Sequence, residues 1–281
     1  MRSKLYTYKM TNNKVLYISQ EIHPYLPEST LSLLGRNVPT GLQGKGFEVR
    51  TFMPKYGMIN ERRNQLHEVI RLSGINLVID DSDHPLILKV ATLQPSRMQV
   101  YFIDNDDYFQ SRATKDLEIN LSPEDNDERM MFFIQGVVET AKKLRWQPAI
   151  IHCSGWISAL APLYLRRKYG DDPAFSDVKI IYSLYDGGFD GTLDKRFVEK
   201  LVMAGFTADD LALLGDGPVD AATLNKIAIQ YADAVIESTP GVPTELVDFA
   251  ENTGKPFLRF PGEEERIESY NKFYRSLIGE E

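Results

Sequence analysis

The sequence contains a single cysteine, Cys153, and no apolar run that approaches the length of a membrane span. One cysteine excludes an intramolecular disulfide framework and is typical of proteins in a reducing compartment. The opening residues, MRSKLYTYKMTNN, include basic side chains but lack the apolar core of a secretory signal, so residues 1–13 are predicted to be an N-terminal extension. Together these absences predict a cytoplasmic protein that does not associate with membranes.

An excess of positive charge and a metal-binding pattern are missing as well. The formal net charge is −8, which argues against nucleic acid as a partner. The histidines do not share the spacing of metal ligands, and no acidic loop combines the central glycine and the terminal glutamate of an EF-hand. We therefore expect neither a bound metal nor a cofactor.

The stretch that organises the chain is VLYISQEIHPYLPESTLSLLGRNVP, residues 15–39. An apolar run leads into a loop that contains Pro24 and Pro27, and Ser29 stands where the N-cap of a following helix would be. Strand, loop and helix in this order are typical of the first βα unit of a doubly wound α/β domain. Ligands of such domains bind at the carboxyl ends of the strands, so a site is expected to begin in the loop of residues 19–28.

Further strands and helices follow along the chain. Apolar runs predict strands at residues 47–53, 149–153, 178–184 and 234–237. Apolar residues at helical spacing predict helices at residues 128–144, 156–169, 221–231 and 244–251. Short alternating runs between residues 68 and 104 predict β-hairpins inserted after the second βα unit.

The predicted fold is α/β, a single Rossmann-like, doubly wound domain over residues 14–262, with a mostly parallel sheet and the inserted β-hairpin region. Residues 263–281 predict a closing amphipathic helix. The apolar stripe of this helix contains Ile267, Tyr270, Phe273, Tyr274 and Leu277.

Several motifs, in order and at matching spacing, resemble those of one enzyme family. SQEIHPY at residues 19–25 is similar to "SEVAPF", FEVRTFMPKYG at 47–57 to "HDVRVVMPRYG", FIDNDDYFQSR at 102–112 to "F…YF.R", and IIHCSGWISALAPLYL at 150–165 to "VHCHDWHTALAPLYL". The chain therefore resembles the bacterial glycogen and starch synthases that use ADP-glucose, which are members of glycosyltransferase family five with the GT-B fold. The resemblance covers nearly the whole chain but only the N-terminal half of those enzymes.

The departures from the family lie at its ligand-binding motifs. The Lys-Thr-Gly-Gly of the family, which contacts the phosphates of the nucleotide sugar, is replaced here by Pro27, Glu28, Ser29 and Thr30. An anionic side chain repels phosphate, and side chains in place of glycine hinder close approach to the backbone. The "HDWH" of the family is SGWI here, so the imidazole that lies near the glucose is lost.

Carboxylates, amides and aromatic faces bind sugars, because hydroxyl groups need paired hydrogen bonds and the C–H face of a sugar needs stacking. The candidate residues for a sugar or acceptor site are Asp125, Asn126, Arg129, Trp156, Ser154 and Asp186. A structural interpretation has equal weight: Asp125 or Asn126 caps a helix and Trp156 packs half-buried in the core. No catalytic residue is assigned.

Three functional hypotheses remain open. The resemblance implies a protein of the glycogen and starch synthase family, reduced to the acceptor-side domain, with little or no transferase activity and a role in α-glucan binding or in regulation of a true synthase. Alternatively, the chain is half of a split synthase that a separate donor-binding chain completes. The third hypothesis is a non-catalytic interaction protein without a sugar site.

Overall fold

A computed structural model describes residues 12–110 and 125–280 of the chain. The predicted N-terminal extension lies outside these residues except for Asn12 and Asn13, and Arg112 of the FIDNDDYFQSR motif also lies outside them.

The strands of the described residues form one sheet in the order β10-β9-β8-β7-β1-β2-β6-β5-β3, and β4 pairs with β5. The pairs from β10 to β6 are parallel, whereas β5, β3 and β4 pair antiparallel. The strands are β1 (Lys14–Ser19), β2 (Glu48–Pro54), β3 (His67–Glu68), β4 (Ile75–Ile79), β5 (Ser82–Leu93), β6 (Met98–Asp104), β7 (Ile150–Ser154), β8 (Lys179–Leu184), β9 (Ala234–Glu237) and β10 (Phe257–Leu258).

Helices alternate with the parallel strands, and the strand order reverses at β1, which confirms the predicted doubly wound fold. The helices are α1 (Thr30–Gly44), α2 (Glu61–Asn64), α3 (Asn126–Lys143), α4 (Ala161–Leu163), α5 (Phe197–Met203), α6 (Ala221–Tyr231), α7 (Thr244–Asn252) and α8 (Arg266–Leu277). A 3₁₀ turn at Trp156–Ser158 precedes α4 and a π-helical turn at Tyr164–Lys168 follows it, where one longer helix interrupted by proline was predicted.

The strand order reverses at β1, and this reversal determines where the crevice of the domain lies. The chain runs outward from β1 to β2 and β6, then returns to the opposite side of β1 with β7. Ser19 at the end of β1 is in register with Ser154 at the end of β7, so the loops that follow these two strands leave the sheet side by side. Ligands of open α/β sheets bind at such a reversal.

The predicted β-hairpins are present, but β6 has a second role. It pairs antiparallel with β5 and, on its other side, parallel with β2, where Phe52 is in register with Tyr101. Its residues are almost all buried, as is usual for a strand that is covered on both faces. The inserted region therefore ends with β5, because β6 is part of the main parallel sheet.

Helix α8 packs against α1 and against β7, and both buried and exposed polar groups hold it there. The guanidinium of Arg266 donates to the carbonyl oxygen of Ser238 beyond β9, and that of Arg275 donates to the carbonyl oxygen of Lys45 beyond α1. Between them, the hydroxyl of Tyr274 forms a hydrogen bond with Nδ1 of His152 on β7. Nε2 of His152 lies 2.7 Å from Oγ of Ser183 on β8, so both ring nitrogens of this buried imidazole have partners.

We expect the free energy of unfolding to decrease as the pH falls because of His152. Burial lowers the pKa of His152 to about 3, whereas a histidine in an unfolded chain titrates near ~6.5. As the pH falls, His152 in the unfolded chain binds a proton at a higher pH than His152 in the folded protein. The contribution of His152 to the free energy of unfolding is therefore fully present above about pH 6.5 and decreases toward pH 3, by up to ~1.4 kcal/mol per pH unit. Urea denaturation between pH 7 and pH 5 measures this slope.

His152→Gln should be less stable at pH 7 and should lose this part of the pH dependence. His67 is exposed, so His67→Gln is the matched control and should keep the slope of the unsubstituted protein. If the free energy of unfolding changed equally with pH in all three proteins, His152 would not be the cause of the loss of stability at low pH.

A buried cluster of charges joins α5 to the start of α3. Nζ of Lys200 lies 2.8 Å from Oδ2 of Asp127 and 2.6 Å from Oε1 of Glu128, and the side chains of Lys200 and Asp127 are almost completely buried. A π-helical turn, Asp106–Gln110, follows β6, and the hydroxyl of its Tyr108 donates to Oε2 of Glu128 at 3.0 Å, which joins this turn to the same cluster. Removal of the cation would leave a buried carboxylate without its partner.

Lys200→Met should therefore lower the free energy of unfolding by about 3–5 kcal/mol. Lys195 lies five positions earlier and is exposed, so Lys195→Met should change stability by less than about 0.5 kcal/mol. Urea titrations of both variants at pH 7 test the difference, and similar losses in both would contradict the structural role of the Lys200 cluster.

Candidate functional site

The candidate site lies where the loops after β1, β7 and β8 leave the sheet. The backbone N–H of Gln20 donates to the carbonyl oxygen of Ser154 at 3.0 Å, which joins the first two loops. Gly155 follows with a φ of 90°, and a Cβ atom there would lie 2.5 Å from Cβ of Gln20. Glycine is required at this position because both the backbone conformation and the space exclude a side chain.

The loop after β1 folds back onto the N-terminus of α1. Ser29 is the N-cap residue, as predicted: its Oγ accepts from the N–H of Ser32, and its N–H donates to Oγ of Ser32, each at 2.9 Å. The Ser29 hydroxyl donates to Oε2 of Glu21 at 2.6 Å. The carboxylate of Glu21 therefore lies beside the end of the helix that attracts anions.

The charge of this loop opposes a bound phosphate. Pro27, Glu28, Ser29 and Thr30 are exposed and contribute one anionic side chain and no cationic one. Glu21 adds a second negative charge, and the Ser29 side chain already satisfies one backbone donor of the helix. A helix N-terminus that binds phosphate needs open backbone donors and tolerates no adjacent anion.

The structure places most of the predicted sugar ligands inside the protein. Asn126, Arg129, Ser154 and Trp156 are each at most 2% exposed. Nη1 of Arg129 donates to Oδ1 of Asn126 at 3.3 Å, and Trp156 packs edge-on against Phe189 with ring centroids 5.3 Å apart. In this arrangement these four side chains support the loops, and direct contact with a sugar stays a prediction that would require the loops to open.

The remaining two predicted ligands differ in their exposure. Asp125 is the N-cap residue of α3 and is partly exposed, but its two carboxylate oxygens are buried, and its side chain does not make the helix-capping bond of the structural interpretation. Asp186 is exposed at the end of β8, and its N–H donates to Oγ1 of Thr239 at 2.9 Å. The two residues lie in different parts of the edge, Asp125 at α3 and Asp186 beside the loop after β9.

Glu21, Tyr56 and Tyr185 are further candidate site residues that the sequence reasoning did not single out. Burial raises the pKa of the Tyr56 hydroxyl, Arg129 counteracts this rise, and Glu21 and Tyr185 add to it. Burial also raises the pKa of Tyr185, again with a contribution from Glu21. The three residues follow β1, β2 and β8. Their positions just beyond parallel strands could have identified them from the sequence.

A concavity of about 510 Å³ opens beside Asp186, at the carboxyl end of β8. Its walls come from the loop after β8, from the first turn of α6 and from the start of α7. Within residues 12–110 and 125–280, no group of three or more His, Cys, Asp or Glu side chains could hold a metal ion. Over the same residues, none of the helices combines the length and apolarity needed to cross a membrane.

The chain matches known proteins over most of its length. Residues 14–255 match the family model described as the starch synthase catalytic domain. Glycogen synthase from Chlorobaculum parvum is 34% identical over 249 residues, which are 86% of this chain and 49% of that protein. Glycogen synthase from Chlorobium limicola is 35% identical over 232 residues, which are 80% of this chain and 47% of that protein.

A solved structure shows the same fold. The catalytic domain of Starch Synthase IV from Arabidopsis thaliana, bound to ADP and acarbose, superimposes with a TM-score of 0.72 at 18% sequence identity. The match covers 89% of this chain and 51% of that chain. The chain thus spans about half the length of the relatives that it matches.

The contact between the first two loops of the site can be tested with a glycine pair. Gly155→Ala should destabilise the protein by ~1–3 kcal/mol for its backbone conformation, with φ 90° and ψ 155°, which is essentially restricted to glycine, and by a further ~1–3 kcal/mol for the clash with Gln20. Gly254 has a φ of 68°, but a Cβ atom there would meet nothing within 4 Å, so Gly254→Ala should be destabilised only by the cost of a positive φ, ~1–2 kcal/mol. Urea denaturation of both variants measures the two losses, and equal losses would mean that the loops do not constrain each other.

Proposed function

The chain belongs to the starch synthase catalytic domain family, and from this premise we propose that it binds an α-1,4-glucan without itself transferring glucose from ADP-glucose. Its fold is the Rossmann-like half of a GT-B fold. We further propose that residues 14–262 form the family domain and that residues 263–281 close it, while the cytoplasmic location stays a prediction.

The main support for this proposal is the loop after β1, which folds back onto the N-terminus of α1. Glucosyl transfer from a nucleotide sugar requires positive charge near the departing diphosphate, and electrostatic stabilisation of this kind is usually the largest catalytic contribution. At the position where the family has its phosphate loop, the Ser29 hydroxyl and the Glu21 carboxylate bond to each other. The Glu21 carboxylate disfavours an incoming diphosphate by repulsion, and residues 27–30 contribute no cation to offset it.

Support for a glucan ligand comes from the loop after β8. Asp186 and the concavity beside it present carboxylate oxygens and backbone groups, the kinds of partner that sugar hydroxyls need. The Starch Synthase IV domain of the same fold is bound to acarbose as well as to ADP. We propose that this chain retains the saccharide function of such a domain and has lost the nucleotide function.

The second candidate function is that of half a split synthase completed by a separate donor-binding chain. The position of α8 favours it, because this helix packs on a face of the sheet against α1 and leaves Glu28, Asp186 and Gly241 exposed at the carboxyl ends of the strands. A second chain would have to supply the cations that the first loop lacks. Incorporation of glucose from ADP-glucose into glycogen, with and without a candidate partner chain, separates this function from the first.

Isothermal titration with maltoheptaose and with ADP-glucose tests the main proposal. We expect heat and thermal stabilisation with maltoheptaose, and neither with ADP-glucose at the same concentrations. Absence of any response to maltoheptaose would refute glucan binding. If ADP-glucose bound as tightly as maltoheptaose, the claim that the altered loop no longer binds a nucleotide sugar would be wrong.

A restored loop provides the converse test. The variant P27K/E28T/S29G/T30G adds a cation, removes an anion and opens the helix N-terminus, so it should gain measurable affinity for ADP. Ser29→Gly alone removes the cap and the hydrogen bond to Glu21 but adds no cation, so it should not gain ADP affinity and should lose about 1 kcal/mol of stability. Equal ADP binding by the restored variant and by Ser29→Gly would contradict the charge argument.

A further inference from the structure

The concavity beside Asp186 has features of a saccharide site in its own right. It lies between the loop after β8 and the first turns of α6 and α7, and its volume of about 510 Å³ falls in the range of small-molecule pockets, ~300–1,000 Å³. We propose that this pocket, lined by Asp186, Phe189, Asp190, Ala222, Asn225 and Leu246, is a subsite that binds neutral glucose units of the glucan. The inference rests on the proposed glucan-binding function and assigns it a location.

Small residues keep the pocket open. A Cβ atom on Gly188 would lie 2.9 Å from Cβ of Ala221, and one on Gly241 would lie 2.8 Å from Cβ of Asp186. Substitution at either glycine would therefore push these walls against each other. Backbone without side chains also lets a ligand come within hydrogen-bond distance of peptide groups.

Two carboxylates set the chemistry of the ligand. Asp186 and Asp190 are both exposed, and within the part of the chain that the structure describes neither forms an ion pair. Carboxylates accept hydrogen bonds from hydroxyl groups with up to four lone pairs, and they repel phosphate. A neutral polyhydroxylated ligand fits this pocket, whereas a nucleotide diphosphate does not.

The pocket is held in shape before any ligand arrives. Nδ2 of Asn225 donates to the carbonyl oxygen of Ala221 at 2.7 Å, and Oδ1 of Asn225 accepts from the hydroxyl of Tyr182 at 2.7 Å. Phe189 packs on the buried Trp156, so this tryptophan of the family motif supports the pocket wall from behind. A preformed site loses less conformational entropy on binding, which favours affinity for a small ligand.

Titration of maltotriose into the full chain and into two pocket variants tests the inference. Ala222→Trp fills the pocket and should weaken maltotriose binding at least about tenfold, since the ligand and the indole compete for one volume. Asp190→Asn keeps the shape but removes a charged acceptor and should weaken binding by about fivefold to tenfold. Asp209→Asn makes the same change at an exposed position outside the pocket and should leave the affinity unchanged.

The outcomes separate this inference from the function on which it rests. If the unsubstituted chain binds maltotriose and both pocket variants bind it equally well, glucan binding stands and the pocket is not its site. If the unsubstituted chain binds no maltooligosaccharide, both proposals fail. Tighter binding of glucosamine than of maltose would overturn the assignment to a neutral sugar, and circular dichroism of Ala222→Trp shows whether that variant is folded.

Discussion

The parallel pairing of β1 with β7 is the constraint on which the candidate site depends. It reverses the strand order at the centre of the sheet and puts the ends of the two strands in register, from Val15 with Ile150 to Ser19 with Ser154. The loops beyond them then have to share one space, and Gly155 leaves room for Gln20 there. Glu21 and the loop after β8 lie at the same edge of the sheet as this contact between the loops after β1 and β7.

The electrostatics of the first loop follow from that geometry. Once the loop folds back over α1, Glu21 reaches the hydroxyl of the N-cap residue Ser29, so the protein supplies its own anion at a helix end that commonly attracts phosphate. The same edge of the sheet carries Asp186 and Asp190 beside an open concavity. The exposed side chains Glu28, Asp186 and Asp190 of the loops after β1 and β8 are thus anionic, and they suit a neutral hydroxylated ligand better than a nucleotide.

Buried polar residues stabilise the scaffold behind this edge. His152 bonds Tyr274 of α8 and Ser183 of β8, and Lys200 joins α5 to two carboxylates of α3. Such contacts cost free energy when only one partner is removed, because the remaining group stays buried without its hydrogen bond. They therefore constrain the position of α8 relative to the sheet and that of α5 relative to α3.

The sequence by itself determined the local elements, including the Ser29 cap of α1, strand β9 at Ala234–Glu237 and the stripe of α8, because these depend on neighbours within a few residues. It also predicted the doubly wound class and the altered residues of the first loop. Only the tertiary structure decided that β6 joins the main sheet, that Arg129 and Trp156 are buried, and that Glu21 meets Ser29. Those outcomes depend on contacts between residues far apart in the chain, and a pattern of residue types does not encode which distant neighbour a side chain will meet.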